Sequence, residues 1–171
     1  MPGRFEIHSL RETIATTFHV TDGNVRFDLQ ANYNIAPSQQ VPIVIQLEER
    51  RIVPARWGFV PSWSKDLTAG YKMINARAES VAEKPSFKKA FQDQRCLVIA
   101  DGFYEWKHAG KDRLPVYIRQ KSGQPIGFAG LFGIWTSPEG EQVRTCAIIT
   151  VDANELVKPI HDRMPVITPG A

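Results

Sequence analysis

Residues 95–151 read RCLVIADGFYEWKHAGKDRLPVYIRQKSGQPIGFAGLFGIWTSPEGEQVRTCAIITV, and this stretch decides the fold class. Its apolar runs at Phe103 to Lys107, Val116 to Arg119, Ile126 to Phe132 and Val143 to Val151 are strand candidates. Gly110, Ser122-Gly123 and Pro138-Glu139-Gly140 supply the turns between them. The pattern is that of an antiparallel meander, preceded by a buried strand over Arg95 to Ala100. Working outward, Val41 to Gln46 and Ile52 to Trp57 read as strands around the polar turn Glu48-Glu49-Arg50-Arg51. Helical signals are few. Ser9-Leu10-Arg11-Glu12 has capping-box spacing and predicts a helix to about Phe18, with Leu10, Ile14 and Phe18 on one face. Asp22-Gly23-Asn24 reads as a turn, and Pro85-Ser86 opens a second short helix through Phe91. Asp152 and Glu155 predict a third helix, capped and ending before Pro159. Strands dominate, so the class is α+β, with curved, mostly antiparallel sheets of barrel-like form and a few short helices.

At 171 residues the expectation is a single domain over 1–171. A content of 43% hydrophobic and 23% charged residues excludes disordered, collagen-like and coiled-coil classes. No apolar run approaches the roughly 18 residues of a membrane span, and the N-terminal Met1-Pro2-Gly3-Arg4-Phe5-Glu6 has no apolar secretory core. A cytoplasmic monomer is expected, without metal, cofactor or membrane partner. Cys96 and Cys146 are too few for a disulfide framework or a cysteine zinc site and read as small buried hydrophobes. The net charge of +3 permits a polyanionic partner without demanding one. Between Lys107 and Lys121 five basic residues stand against Asp112 alone, a local +4. That run is either a solvated hairpin tip or a landing zone for phosphates.

Catalytic signatures of the common kinds are missing: no nucleophile elbow, HExxH, GxGxxG or P-loop occurs. What stands out are Asn75, Glu105 and His161, polar residues in poorly alternating segments. Each also has a plain structural reading: Asn75 capping a turn, Glu105 at the exposed position of a strand, His161 paired with Asp162 at the surface. Together an amide, a carboxylate and a histidine suffice for positioning and proton transfer. Arg56, Trp57, Trp63, Lys65 and Arg77 mix cations with aromatics, the combination that holds single-stranded nucleic acid. Of the two tryptophans, Trp57 follows a strand and belongs in the core, whereas Trp63 in a Pro61-Ser62-Trp63-Ser64 loop is the stacking candidate.

Several blocks in order carry a resemblance: Gly3-Arg4-Phe5, Tyr33-Asn34-Ile35-Ala36-Pro37, Trp57-Gly58-Phe59-Val60-Pro61-Ser62-Trp63, Asn75-Ala76-Arg77-Ala78-Glu79, Lys84-Pro85-Ser86-Phe87, Asp101-Gly102-Phe103-Tyr104-Glu105-Trp106 and Ile160-His161-Asp162-Arg163-Met164-Pro165. The chain resembles the SRAP family of SOS-response-associated peptidases, also called abasic-site processing proteins. The resemblance implies a DNA-damage protein that binds single-stranded DNA at abasic sites and bonds to the sugar aldehyde through its N-terminal residue. It implies that Asn75 positions that residue, that Glu105 and His161 are the acid–base pair, and that Arg4 and Arg77 bind phosphates. Pro37 and Trp63 would wedge and stack bases. Self-removal of residues before the catalytic cysteine gives the family its name of peptidase, a hydrolase.

Two departures follow. The family motif begins Met-Cys-Gly-Arg-Phe, whereas position 2 here is proline. A thiazolidine crosslink needs a thiol on the residue that carries the reacting amine, so neither Cys96 nor Cys146 substitutes. Once Met1 is removed, Pro2 presents a secondary amine; α-amino groups titrate near ~7.7–8.0, leaving a fraction unprotonated at neutral pH. With an aldehyde it forms an iminium ion. Without a thiol the iminium hydrolyses or loses the neighbouring sugar proton, a lyase outcome. If Met1 stays, the Pro2 nitrogen is a tertiary amide. The expected function is therefore a Schiff-base, lyase-like variant. The alternatives are a noncovalent single-strand binding module with a disabled crosslinking site and a thiol-independent peptidase. The second departure is the end at Thr168-Pro169-Gly170-Ala171, short of the family's usual C-terminus.

Overall fold

The computed structural model describes residues 2–168. Met1 and Pro169-Gly170-Ala171 lie outside the described residues, as do the expectations that concern them. Strands are β1 (Arg4–Ile7), β2 (Asn32–Ile35), β3 (Gln40–Gln46), β4 (Arg50–Trp57), β5 (Asn75–Arg77), β6 (Arg95–Ala100), β7 (Gly102–Ala109), β8 (Asp112–Arg119), β9 (Ile126–Thr136), β10 (Gln142–Asp152), β11 (Arg163–Pro165) and β12 (Ile167–Thr168). The helices are α1 (Arg11–Thr17) and α2 (Lys88–Asp93), with short 3-10 turns at Asp22–Asn24 and Leu67–Lys72.

Five strands close into a barrel in the order β10-β4-β3-β6-β9, because β9 pairs back onto β10. Neighbours alternate in direction around the ring except β4 and β10, which run parallel. An odd number of strands makes one such parallel contact unavoidable. Full closure also leaves these strands without an open edge. β5 continues the edge of β10 beyond β4, with Asn75 opposite Ile148 and Arg77 opposite Thr150. A second, four-stranded sheet has the order β2-β1-β7-β8.

Aromatic residues join the two sheets. Phe5 of β1 meets Trp57 edge-on at 4.9 Å and Phe128 at 5.9 Å, and Phe103 of β7 meets Phe128 at 5.8 Å. All four rings are buried. One face of the small sheet is thus glued to the barrel by edge-to-face contacts that add to the area they bury. Trp57 is in the core as expected, and its indole N–H donates to the Ile74 carbonyl at 3.0 Å. That bond fixes the residue directly ahead of Asn75.

The strands of the second half form where expected, but not as one meander. β7 and β8 are a hairpin of the small sheet, whereas β9 lies between β6 and β10 in the barrel. Local alternation marks a strand without naming its sheet. Ser9 does not cap α1: its hydroxyl donates to Asp101, whose carboxylate also accepts the backbone N–H groups of His8 and Ser9. The third predicted helix does not form. Residues 155–160 make tight turns, with Lys158 N–H bonded to the Asn154 carbonyl, and Pro159 stops propagation.

Candidate functional site

The N-terminal strand carries the first element of the site. Pro2 is buried, and its carbonyl accepts a hydrogen bond from Asn75 Nδ2 at 3.2 Å. Asn75 therefore does not cap a turn; it bridges β5 to the N-terminus. Its Oδ1 is buried and has no hydrogen-bond partner among the described residues. Such an orphan acceptor costs roughly 1–3 kcal/mol, so one at a site beside the chain start marks a place for a donor.

Glu105 lies on β7, next to β1, where Arg4 pairs with Tyr104. Extending that antiparallel register by one residue sets Gly3 opposite Glu105. The carboxylate is 3% exposed and shares the barrel-facing side with Phe103, so it is not the exposed member of an alternating strand. Its Oε2 stands 3.5 Å from His161 Nδ1. The same nitrogen accepts the Arg163 backbone N–H at 3.0 Å. One ring nitrogen has one lone pair, so Nδ1 either accepts from Arg163 or carries a proton toward Glu105. Asp162 forms an ion pair with Lys158 at 2.9 Å.

The His161 loop is fastened by a residue that sequence reasoning passed over. Arg163 is buried and reaches three groups on neighbouring elements. It forms a two-pronged contact with Glu79 at 2.8 and 2.9 Å, bonds Asp152 at 2.7 Å, and donates to the Thr150 carbonyl at 2.8 Å. The Arg163 hydrogen bond holds the Glu79 carboxyl down at about 2. Arg163 and Glu79 follow His161 and Asn75 in sequence at short distance, a spacing that gives no local sign of pairing across 84 residues.

The four residues expected to contact phosphates and bases lie on β1, on β5, in the turn before β3 and in the loop between β4 and β5. Arg4, the first residue of β1, donates to Asn34 Oδ1 at 2.9 Å. Arg77 shares a face of β5 with Asn75, one pleat repeat away, and is exposed beside Glu79 at 3.9 Å. Pro37 opens a turn in which Ser38 takes a φ of 75°. Arg56 braces that turn by donating to the Ser38 carbonyl at 2.9 Å. Trp63 is 66% exposed in the loop between β4 and β5. The neck of that loop is pinched where Gly58, at φ 131°, meets Gly70; a Cβ on Gly58 would lie 2.7 Å from the Gly70 carbonyl oxygen. Trp63 also borders a cleft of about 130 Å³ with Phe59, Ser86 and Lys89. The structure thus links Pro2 with Asn75 and Glu105 with His161; Arg4 starts the strand that follows Pro2, and Arg77 shares β5 with Asn75.

Both cysteines are buried, and burial pushes their thiols well up, away from the reactive thiolate. Among the described residues no group of three or more His, Cys, Asp or Glu side chains could hold a metal ion. None of the described helices is long and apolar enough to cross a membrane.

A sequence model of the family described as SOS response associated peptidase (SRAP) matches residues 1–170. The chain is 45% identical over 169 residues to the abasic site processing protein YoqW of Bacillus subtilis, covering 98% of this chain and 75% of that one. It is 34% identical to the abasic site processing protein HMCES of Xenopus tropicalis, over 82% of this chain and 51% of that longer one. Among solved structures, a Bacteroides thetaiotaomicron protein aligns with a TM-score of 0.72 at 32% identity, over 79% of this chain and 62% of that one. A Bordetella bronchiseptica protein aligns with a TM-score of 0.80 over 98% of this chain and 84% of that one; at 22% identity it speaks for the fold alone. The N-terminal clamp, the carboxylate–histidine contact and these matches lead to one conclusion: the chain belongs to the SRAP family.

Proposed function

We propose that this protein processes abasic sites in single-stranded DNA and reacts with them through the amine of Pro2. The observation that carries the reading is the Asn75 clamp. Nδ2 holds the Pro2 carbonyl, while the buried Oδ1 of the same amide has no partner among the described residues. The N–H of a free Pro2 amine is a donor of the kind that acceptor lacks, and removal of Met1 would create it.

The amine nitrogen adds to C1′ of the ring-opened sugar. The resulting carbinolamine takes a proton on its hydroxyl from the Glu105–His161 pair and loses water, leaving an iminium ion. Water addition reverses the step and frees the amine. Alternatively a C2′ proton passes to the same pair, the electron pair moves into the C2′–C3′ bond, and the 3′-phosphate leaves with the strand cut. Arg4 and Arg77 hold flanking phosphates, and Pro37 and Trp63 part and stack the neighbouring bases. Borohydride trapping tests this. With Met1 confirmed absent by intact mass, a reduced adduct on abasic single-stranded DNA is expected, and its absence sinks the covalent reading.

One observation favours a second reading, noncovalent binding: position 2 has no thiol and both cysteines are buried. Pro2→Cys separates the two. If proline has disabled an intact site, that variant gains a heat-stable crosslink while the parent protein gives no borohydride-trapped adduct.

A further inference from the structure

We propose that the outer face of the four-stranded sheet is a second stretch of the single-strand track, a platform on which bases flanking the lesion stack. The inference rests on the single-strand reading above and adds a surface to it. Cross-strand pairs fix the face: Arg4 opposite Tyr104, Tyr104 opposite Tyr117, and Gly102 opposite Arg119. With strand alternation these put Arg4, Tyr104, Tyr117, Arg113 and Arg119 on the side away from the barrel, since Phe5 and Phe103 occupy the other side. Arg113, Tyr117 and Arg119 are exposed.

The rings on this face are held rather than loose. A Cβ on Gly102 would lie 2.5 Å from Tyr117 Cε2, so the Tyr117 ring lies across the β7 backbone and only glycine leaves it room. The Tyr104 ring sits beside it at 5.2 Å. Underneath is Glu6, a buried carboxylate that accepts from the Tyr104 hydroxyl at 2.7 Å and raises that hydroxyl to about 12. Next to it, the exposed Tyr33 ring is stacked on His8 at 5.3 Å, and His8 Nε2 is 3.2 Å from Glu6. Rings fixed before binding lose little rotamer freedom when a base stacks on them.

Charge selects the occupant. Five cations against Asp112 in the 107–121 hairpin make it the basic run of the sequence, and Arg113 and Arg119 flank Tyr117 along β8. Cations interleaved with open aromatic faces suit a single strand, whose phosphates and unpaired bases are both available. The platform also starts where the site ends, since Arg4 is two residues from Pro2.

The test compares an abasic oligonucleotide that barely spans the lesion with one about three times longer, by fluorescence anisotropy. The longer strand should bind the parent protein at least about tenfold tighter. Tyr117→Ala should lose about tenfold on the longer strand alone. The pair Arg113→Glu with Arg119→Glu should abolish the length gain and lower the salt slope by about 1.4, two contacts at about 0.7 each. Both variants should keep short-strand binding and the borohydride-trapped adduct. The arginine pair is exposed on both counts, so it decides the matter even where Tyr117→Ala fails to fold. A length gain absent in the parent, or retained in the arginine variant, overturns the platform and leaves the site reading standing. No binding of either strand and no adduct overturn both.

Discussion

Replacing Arg163 by methionine tests how the His161 loop is held. The guanidinium reaches Glu79, Asp152 and Thr150, but these partners are unequal. The Glu79 and Asp152 side chains are 52% and 85% exposed and return to water at little cost. Thr150 is buried; its carbonyl keeps the Ala78 N–H at 2.9 Å, while its Oγ1 loses the Arg163 donor 3.2 Å away. A charge-assisted bond of this kind is worth about 1.5–3 kcal/mol. Methionine matches the length of the aliphatic stem and removes the buried Arg163 Nε, which has no partner among the described residues, so part of the loss is returned. The net expectation is about 2 kcal/mol, a fall in Tm of about 4–8 °C for a chain of this size. Thermal unfolding measures it. A second readout separates positioning from stability: the Arg163 N–H that satisfies His161 Nδ1 moves with the loop, so the pH profile of adduct trapping should change well below the Tm. A Tm within about 2 °C of the parent, together with an unchanged profile, refutes the reasoning.

Further outcomes follow from the same geometry. Glu79 is held at about 2 against an ordinary 4.5, so its contribution is complete above pH 4.5 and is lost as pH falls through 2. Urea midpoints of the parent and Glu79→Gln should differ at neutral pH and converge toward pH 2; a gap that widens on acidification contradicts this. Gly58→Ala puts a Cβ 2.7 Å from the Gly70 carbonyl oxygen at a positive φ and should destabilise by more than about 1 kcal/mol in the same urea assay. Trp63→Ala, at an exposed loop position, should leave the urea midpoint within about 0.5 kcal/mol yet weaken single-strand binding by about 1–3 kcal/mol in anisotropy titrations. Glu105→Gln should slow adduct formation by about 10²–10⁴ with no loss of strand affinity, and equal rates would remove it from the proton pathway.

Much of the strand content was legible because alternation and turn residues act locally. β6 starts and ends where its apolar run does, and β9 and β10 merely extend past theirs. What escaped was long-range. Nothing near Phe103 or Ile126 says that their strands belong to different sheets, since sheet membership is set by which strand arrives from far along the chain. The short strands β1 and β5 have only four and three residues and too little pattern to read. Yet these two bring Pro2 to Asn75. Ser9 misled for a related reason: its hydroxyl has the capping-box spacing, but buried Asp101 of a distant segment offers it a stronger acceptor. The Asp152–Pro159 segment has cap and stop signals with too few residues between them to repay helix nucleation. At the site, motif resemblance named Asn75, Glu105 and His161. It could not supply Arg163's bonds to Glu79, Asp152 and Thr150 or the platform beneath Tyr117, which arise from pairing across strands.

The clamp at the N-terminus bears on what the residue at position 2 must be. Asn75 grips the Pro2 carbonyl, a main-chain atom that every residue possesses. Pro2 keeps this bond, and its ring is buried beside it. What proline would change, on the covalent reading proposed above, is the nitrogen: as a ring amine it would yield an iminium with a fixed positive charge, where a primary amine yields an imine that must be protonated to acquire one. That charge is the feature that acidifies the neighbouring sugar carbon. A cysteine at this position adds a thiol that closes on the imine and stores the adduct; a proline leaves the cation open to water or to proton loss. Glu105 lies beside the N-terminal strand with His161 3.5 Å away, and either exit from the cation needs a group that gives or takes a proton there. On the covalent reading proposed above, a clamp on a main-chain atom, Glu105 and His161 as proton donor and acceptor, and an amine that would make a permanent cation together favour turnover over storage.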